Sequence, residues 1–324
     1  MNYGNLKKYI CLFVISAFLV NSYGFGAEVE NLVPEAEKIV SQGLKNPDAR
    51  IRANAIEVVS MTKKVQFAPR VTELLKDPDV LVRFAAALAI GDLQYKKSEK
   101  TLHQFLDDSD INVRIAAAYA LCKLGQKQYL SVIQASVSQN DPTVQANAVM
   151  LMGKLKNTES LPILYKLKDD PNSDKYVSIY SAEAIARIGD EKIYPKIWAL
   201  LISAYAEDRY MGVLAMGALG GTKGANALLT MLDDEVVEVR LSAAEQLGTL
   251  GDPSGRIIVS EYFTQPDSKD EKQVVDRRNT LAAMAIGPIG DKKLAEYLPK
   301  LLKSDSPVVR LAAAKSVFIL AGGN

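Results

Sequence analysis

The chain has 324 residues, of which 48% are hydrophobic and 24% charged, and its net charge is +1. That balance excludes a disordered chain, which lacks apolar surface to bury. It also excludes the strongly basic field of a nucleic-acid or anionic-membrane binder. One histidine and two cysteines exclude His-paired zinc and di-iron centres and a disulfide-stapled framework.

The N-terminal stretch reads as a secretory signal peptide over residues 1–26. Lys7 and Lys8 precede an apolar run from Tyr9 to Val20, and the small residues Gly24, Gly26 and Ala27 follow. The run is too short for a comfortable span, which takes about 20 residues. An uncleaved anchor is the alternative. Cleavage after Gly26 keeps small residues at both recognition positions, so the mature chain is expected to start at Ala27, exported to the periplasm or secreted. No membrane insertion is expected after cleavage. The segment carries two lysines and no acid, so the mature net charge is −1. It also carries Cys11, which leaves Cys122 without a partner for an internal disulfide.

Residues 27–324 read as one repeat domain. The stretch DPDVLVRFAAALAIGDL around Arg83 recurs as DSDINVRIAAAYALCKLG around Arg114, and again around Arg240 and Arg310. Aligned on the arginine position, the chain runs Arg52, Arg83, Arg114, Gln145, Ser178, Arg209, Arg240, Asn279 and Arg310. The steps are 31 residues except for 33 before Ser178 and 39 before Asn279. A fixed period in this range marks a repeat array. Each repeat holds two apolar-periodic segments. In the Arg114 repeat these are roughly Glu99–Leu106 and Val113–Leu124. Val113, Ala117, Ala120, Leu121 and Leu124 fall on one helical stripe. Gly125 then ends the helix, as Gly189, Gly220, Gly251 and Gly290 do in their repeats. No segment alternates with period two, so no sheet is expected. The alanine triplets at Ala85–Ala87, Ala116–Ala118 and Ala312–Ala314 favour helix and let neighbouring helices approach closely.

The unit D-x-x-x-x-V-R-x-x-A-A-x-A-L-x-x-L-G resembles the HEAT repeat, in the short form of phycobilisome-lyase-type proteins. The resemblance covers essentially all of the mature chain and is closest at Arg83, Arg114, Arg240 and Arg310. It implies an all-α fold, a right-handed α-solenoid or superhelix of about nine helical hairpins from near Leu32 to Gly322. Gln145, Ser178 and Asn279 depart from it. The ankyrin T-P-L-H signature and the tetratricopeptide aromatics are missing.

Asp77, Asp108 and Asp234 each lie six residues before their arginine. Such an acid can cap the second helix. The arginine can reach back to it or across to the acid of the next repeat, making a ladder. Asp77, Arg83, Asp108, Arg114, Asp234, Arg240 and Arg310 are therefore expected to serve the fold, since a residue used in every repeat belongs to the repeat.

Catalytic patterns are sparse. His103 is the only histidine, sits on a first helix and has no G-x-S-x-G beside it. GALGGTKG at Gly217–Gly224 lacks the spacing and preceding strand of a phosphate loop and reads as a turn. Asp107-Asp108, Asp169-Asp170 and Asp233-Asp234 read as turn and cap chemistry before calcium ligands. Deoxyhypusine hydroxylases resemble this fold but carry His-Glu ligand pairs, and this sequence has none. Bilin lyases share the short repeat but act in the cytoplasm, against which the signal peptide argues. No cofactor, metal or catalytic residue is expected.

Function then rests on surface. Positions one and five after the arginine lie off the core stripe of the second helices. They carry Phe84 and Leu88, Ile115 and Tyr119, Ala146 and Met150, Ile179 and Glu183, Tyr210 and Leu214. Phe84, Leu88, Ile115, Tyr119, Met150, Ile179, Tyr210 and Leu214 would line an apolar groove on the concave side for a partner helix or extended segment. The alternative is that they pack against adjacent repeats. The expected function is an exported, non-enzymatic scaffold or adaptor that binds a protein or peptide and no nucleic acid. The alternatives are an assembly factor or lyase-like, chaperone-type enzyme subunit, and a purely structural spacer. The extra residues at Lys168–Lys175 and Thr264–Arg277 both fall between a first and a second helix. The second of these is expected to be a polar surface loop.

Overall fold

The computed structural model describes residues 26–265 and 270–322. Apart from Gly26, the expected signal peptide lies outside the described residues. Those residues form helices and turns with no strand among them. In chain order the helices are α1 (Gly26–Glu30), α2 (Val33–Gly43), α3 (Ala49–Met61), α4 (Ala68–Glu73) and α5 (Val80–Asp92). Next come α6 (Glu99–Gln104), α7 (Ile111–Lys123), α8 (Leu130–Ala135), α9 (Pro142–Leu155), α10 (Leu161–Asp169) and α11 (Lys175–Ile188). The chain continues through α12 (Tyr194–Leu201), α13 (Ala206–Leu219), α14 (Gly221–Thr230), α15 (Val237–Thr249), α16 (Arg256–Thr264) and α17 (Lys272–Ile289). It closes with α18 (Lys292–Ala295), α19 (Leu298–Leu301) and α20 (Pro307–Ala321). This is an all-α repeat solenoid.

The first five long second helices begin on a local signal, whereas α13, α15, α17 and α20 carry no side-chain cap bond. Asp48, Asp79, Asp110, Asp141 and Asp174 precede α3, α5, α7, α9 and α11, and each accepts the main-chain N–H two residues on, at 2.7–2.8 Å. The expected cap was the acid two positions earlier. Asp77 and Asp108 instead accept the N–H of Asp79 and Asp110, at 3.0 and 2.9 Å, and brace the turn ahead of the cap. At the C-terminal ends the chain turns through the left-handed region, where only glycine is free of a Cβ clash. Gly125 (φ 104°) and Gly189 (φ 97°) do this readily, but Lys63, Gln94 and Lys156 hold φ near 50° at the same place.

The core stripe lies where its period puts it. Val113, Ala117, Ala120 and Leu121 are buried, as are Val82, Ala86, Ala89 and Ile90 on the preceding second helix. Adjacent second helices touch through a small residue eight positions after the arginine site. A Cβ on Gly91 would sit 2.7 Å from Ala120 Cα, one on Gly153 2.8 Å from Ala184 Cα, and one on Gly287 2.8 Å from Ser316 Cα. The first helices are shorter, and α4, α6 and α8 each run on into a 3₁₀ turn.

The described residues fall into two compact units, one of residues 48–193 and the other of residues 26–47 with 194–322. The second unit therefore joins both ends of the array. Helix α2, expected to open the first hairpin, packs on α20, the second helix of the Arg310 repeat. It buries Ala36, Ile39, Val40 and Gly43. The insertion ahead of Asn279 also differs from expectation. Lys272–Arg277 is helical and extends α17 to 18 residues. Arg277 pairs with Glu238 at 2.7 Å, and Arg278 with Asp270 at 2.5 Å. These ion pairs hold a polar segment that has too little apolar surface to bury itself.

Candidate functional site

Three arginines reach the acid of the next repeat. Arg52 Nε and Nη2 donate to the two carboxylate oxygens of Asp77 at 2.9 and 2.7 Å. Arg83 does the same with Asp108 at 2.9 and 3.0 Å, and Arg209 with Asp234 at 2.7 and 3.0 Å. Each pair is a two-pronged, largely buried contact spanning 25 residues. The third guanidinium nitrogen, Nη1, faces the turn of its own repeat. Arg83 Nη1 donates to Asp77 O at 3.0 Å and Arg209 Nη1 to Ser203 O at 3.1 Å. Arg114, Arg240 and Arg310 hold the carbonyls of Asp108, Asp234 and Ser304 at 2.8, 2.6 and 2.5 Å. Arg114 has no acid ahead of it, because the residue 25 positions on is Gln139. Asp108 and Asp234 therefore belong to the arginine of the repeat before them.

The row expected to line a groove divides. Phe84, Leu88, Ile115, Tyr119 and Ile179 are buried and offer no open surface. This overturns their expected exposure and matches the alternative of packing against neighbours. The reason is the close helix spacing: with glycine or alanine at the contact, little room remains beside it. Tyr119, for example, lies 3.3 Å from where a Gly91 Cβ would stand. Met150, Tyr210 and Leu214 stay half-buried.

Sequence reasoning missed the charges on the same helices. In the first unit, Asp92 Oδ2 accepts from Lys154 Nζ at 2.8 Å and from Ser60 Oγ at 3.1 Å. Asp92 Oδ1 takes a very short hydrogen bond from the Tyr119 hydroxyl. Lys154 Nζ also lies 5.7 Å from the centre of the Tyr119 ring. Lys63, in its left-handed conformation, donates to the Asp92 carbonyl at 2.6 Å and caps the end of α5. Burial opposes the Asp92 charge, but Lys154 and the Tyr119 hydroxyl outweigh it and hold the carboxyl below its ordinary value. Burial first, then the Asp92 charge, pushes Tyr119 well above the usual tyrosine value. Nearby, Arg187 pairs with Glu183 at 2.6 Å. In the second unit Lys315 pairs with Glu245 at 2.8 Å, and both side chains are buried. The signal was present: Asp92, Lys154 and Arg187 share the position nine after the arginine site, where an all-apolar helix face would have no charge.

The remaining motifs do structural work. Tyr129 and Gln126 lie 3.3 Å from the two ring nitrogens of His103. Gly220 and Gly221 (φ 65° and 61°) make the turn between α13 and α14, so GALGGTKG is a helix end. Asp170 accepts the N–H of Asn172 at 2.9 Å, and Lys168 pairs with Asp169. Among the described residues no group of three or more His, Cys, Asp or Glu side chains converges to hold a metal ion. No described helix is long and apolar enough to cross a membrane.

No curated protein matches at the sequence level. Among solved structures, human deoxyhypusine hydroxylase is 17% identical, with a TM-score of 0.40, over 81% of this chain and 97% of its own. The CpcE–CpcF complex of phycocyanin lyase from Nostoc is 18% identical, with a TM-score of 0.45, over 83% of this chain and 99% of its own. The model for HEAT repeats matches residues 67–140 and 130–210, and a HEAT repeat model matches residues 225–252. Together these matches cover more than half of the chain, which belongs to the HEAT repeat family.

Proposed function

We propose that this chain is an exported, non-enzymatic scaffold that holds a protein or peptide partner on the face of its second helices. One observation carries the reading. The ionisable groups on those helices pair with one another, as Asp92 with Lys154, Glu183 with Arg187 and Glu245 with Lys315. Met150, Tyr210 and Leu214 meanwhile stay partly open. Paired charges and open apolar side chains suit recognition better than proton transfer. The shifted groups point the same way. Burial pushes the Cys122 thiol up to about 11, and burial with the Asp190 contact pushes Tyr165 up to about 12. Both move away from the lowered values an activated nucleophile needs.

A photo-crosslinking amino acid placed at Tyr210, with a second variant at the exposed Lys196 as control, tests the reading in the native cell envelope. The expected result is a discrete protein adduct at position 210, none at position 196, and a mature N-terminus at Ala27. Equal labelling at both positions, or none at 210, defeats the binding face. An intact Met1 defeats export.

A further inference from the structure

The second helices of the first unit end on a surplus of lysine. At the ends of α3, α5, α7 and α9 and in the turns that follow, residues 61–67, 92–98, 123–129 and 154–160, there are eight lysines and two acids, Asp92 and Glu159. The equivalent stretches after α11, α13, α15 and α17 are close to balance, with five bases and four acids. The helix dipole favours a base at a helix C-terminus, which accounts for Lys63, Lys123, Lys154 and Lys156. It does not account for Lys96, Lys97 and Lys127. These are exposed and lie in the 3₁₀ turns that lead into α6 and α8, where the dipole disfavours a base.

The acid inside this cluster is already engaged. Asp92 gives its carboxylate oxygens to Lys154, Ser60 and the Tyr119 hydroxyl, and its carbonyl to Lys63. Lys123 holds the position of Asp92 and Lys154 on α7, the helix that touches both α5 and α9. It is half-buried, and among the described residues its side chain has neither a hydrogen bond nor an ion pair. Partial burial lowers the Lys63 pKa, Asp92 opposes this, and the Lys123 and Lys154 charges lower it further. Three ammonium groups therefore share one carboxylate, and the one on Lys123 lacks a counter-charge. A partly buried charge in that state is costly unless an anion joins it. Lys156 supplies a further ammonium. It turns the chain after α9 at φ 53°, where Gly125 and Gly189 turn free of a Cβ clash. Lys63 and Gln94 hold the same strained position, but each ties its helix to the next, donating to the carbonyl of Asp92 at 2.6 Å or of Lys123 at 3.4 Å. The Lys156 side chain is exposed and has no such bond among the described residues.

We propose that this lysine edge of the first unit docks an acidic segment of a protein partner, with carboxylates seated on Lys123 and Lys156 and the flanking lysines steering it in. The inference rests on the partner-binding reading above and adds the charge of the partner. Charge complementarity selects the occupant. No arginine, the residue that pairs two phosphate oxygens at once, stands in these four stretches. The chain as a whole has a net charge of +1, too little to hold a nucleic acid or an anionic bilayer.

Anisotropy titration of the mature chain with a fluorescein-labelled oligoglutamate tests it. A peptide of about eight residues is long enough, when extended, to cross two repeats. Binding is expected, with an affinity that falls steeply as salt rises, and oligoglutamine of the same length should not bind. Lys123→Gln combined with Lys156→Gly should weaken binding at least about tenfold. Lys223→Gln, exposed on α14 of the second unit, should leave it unchanged. Lys156→Gly alone should raise the melting temperature by about 2 °C, because glycine fits the left-handed turn. A melting temperature lowered by Lys156→Gly overturns the inference, since the lysine would then serve the fold. Oligoglutamate binding that the double variant leaves unchanged overturns it as well. Oligothymidylate or phosphatidylserine vesicles bound more tightly than oligoglutamate would assign the edge to nucleic acid or membrane and overturn the acidic segment. Oligoglutamate that fails to bind while the Tyr210 adduct still forms overturns this inference and leaves the partner-binding reading standing. Oligoglutamate binding without that adduct supports the lysine edge and defeats the second-helix face.

Discussion

At the scale of the residue, the arginine ladder shows that one side chain does different work in different repeats. Arg83 holds a carboxylate that would otherwise be buried without a counter-charge, whereas Arg114 holds main-chain carbonyls of its own turn. Arg83→Ala should therefore destabilise by about 1–3 kcal/mol, because it strands Asp108. Arg114→Ala should cost about 1 kcal/mol less, because it leaves no carboxylate without a counter-charge and the two carbonyls it frees lie on a partly exposed turn. Urea unfolding of the two variants makes the comparison, and equal losses would refute the assignment. The pH dependence has a definite sign. Burial alone would raise the Asp108 pKa, but the Arg83 bond and the Asp110 N–H outweigh it and hold it below its ordinary 3.8. A depressed carboxylate stabilises the fold above its unfolded value and loses that contribution as pH falls through the folded one. The parent should thus lose stability below about pH 4 more steeply than Arg83→Ala.

At the scale of the element, the second helices are set by what is missing from their sides. Gly91, Gly153 and Gly287 admit the neighbouring backbone to within a distance no Cβ tolerates. The sequence places them at one repeated position, filled by Ser60, Cys122 and Ala186 in other repeats. Gly91→Ala would force α5 and α7 apart against Ala120, and should destabilise by about 1–3 kcal/mol as overpacking does. Differential scanning calorimetry on that variant is the check; an unchanged or raised melting temperature would mean the helices slide freely. The same close contact explains the buried groove row. The helical period told which positions lie off the core stripe of each second helix. It did not tell how near the next repeat comes, which depends on two backbones meeting.

At the scale of the whole molecule, the second unit is completed from both ends of the chain. Helix α2 lies on α20, where Val309, Ala313, Val317 and Phe318 are buried. End repeats of an array need a cover for the apolar face they would present to a further repeat. Deleting residues 27–47 should remove that cover. Native-state hydrogen exchange should then show faster exchange in α20, with α5 and α7 unchanged. Uniform protection across the chain would show that α2 adds nothing to the end of the array. The sequence by itself determined the period, the helical hairpins, the apolar stripe and the arginine–aspartate spacing, because each is a local pattern written into consecutive residues. It determined equally that no site needing two histidines can form within one chain, since the sequence holds one. Only the tertiary structure decided which aspartate each arginine holds, which apolar residues are closed off, and where α2 packs. Those depend on residues 25 to more than 200 positions apart in the chain, and nothing in a 31-residue period says which partner a side chain will meet.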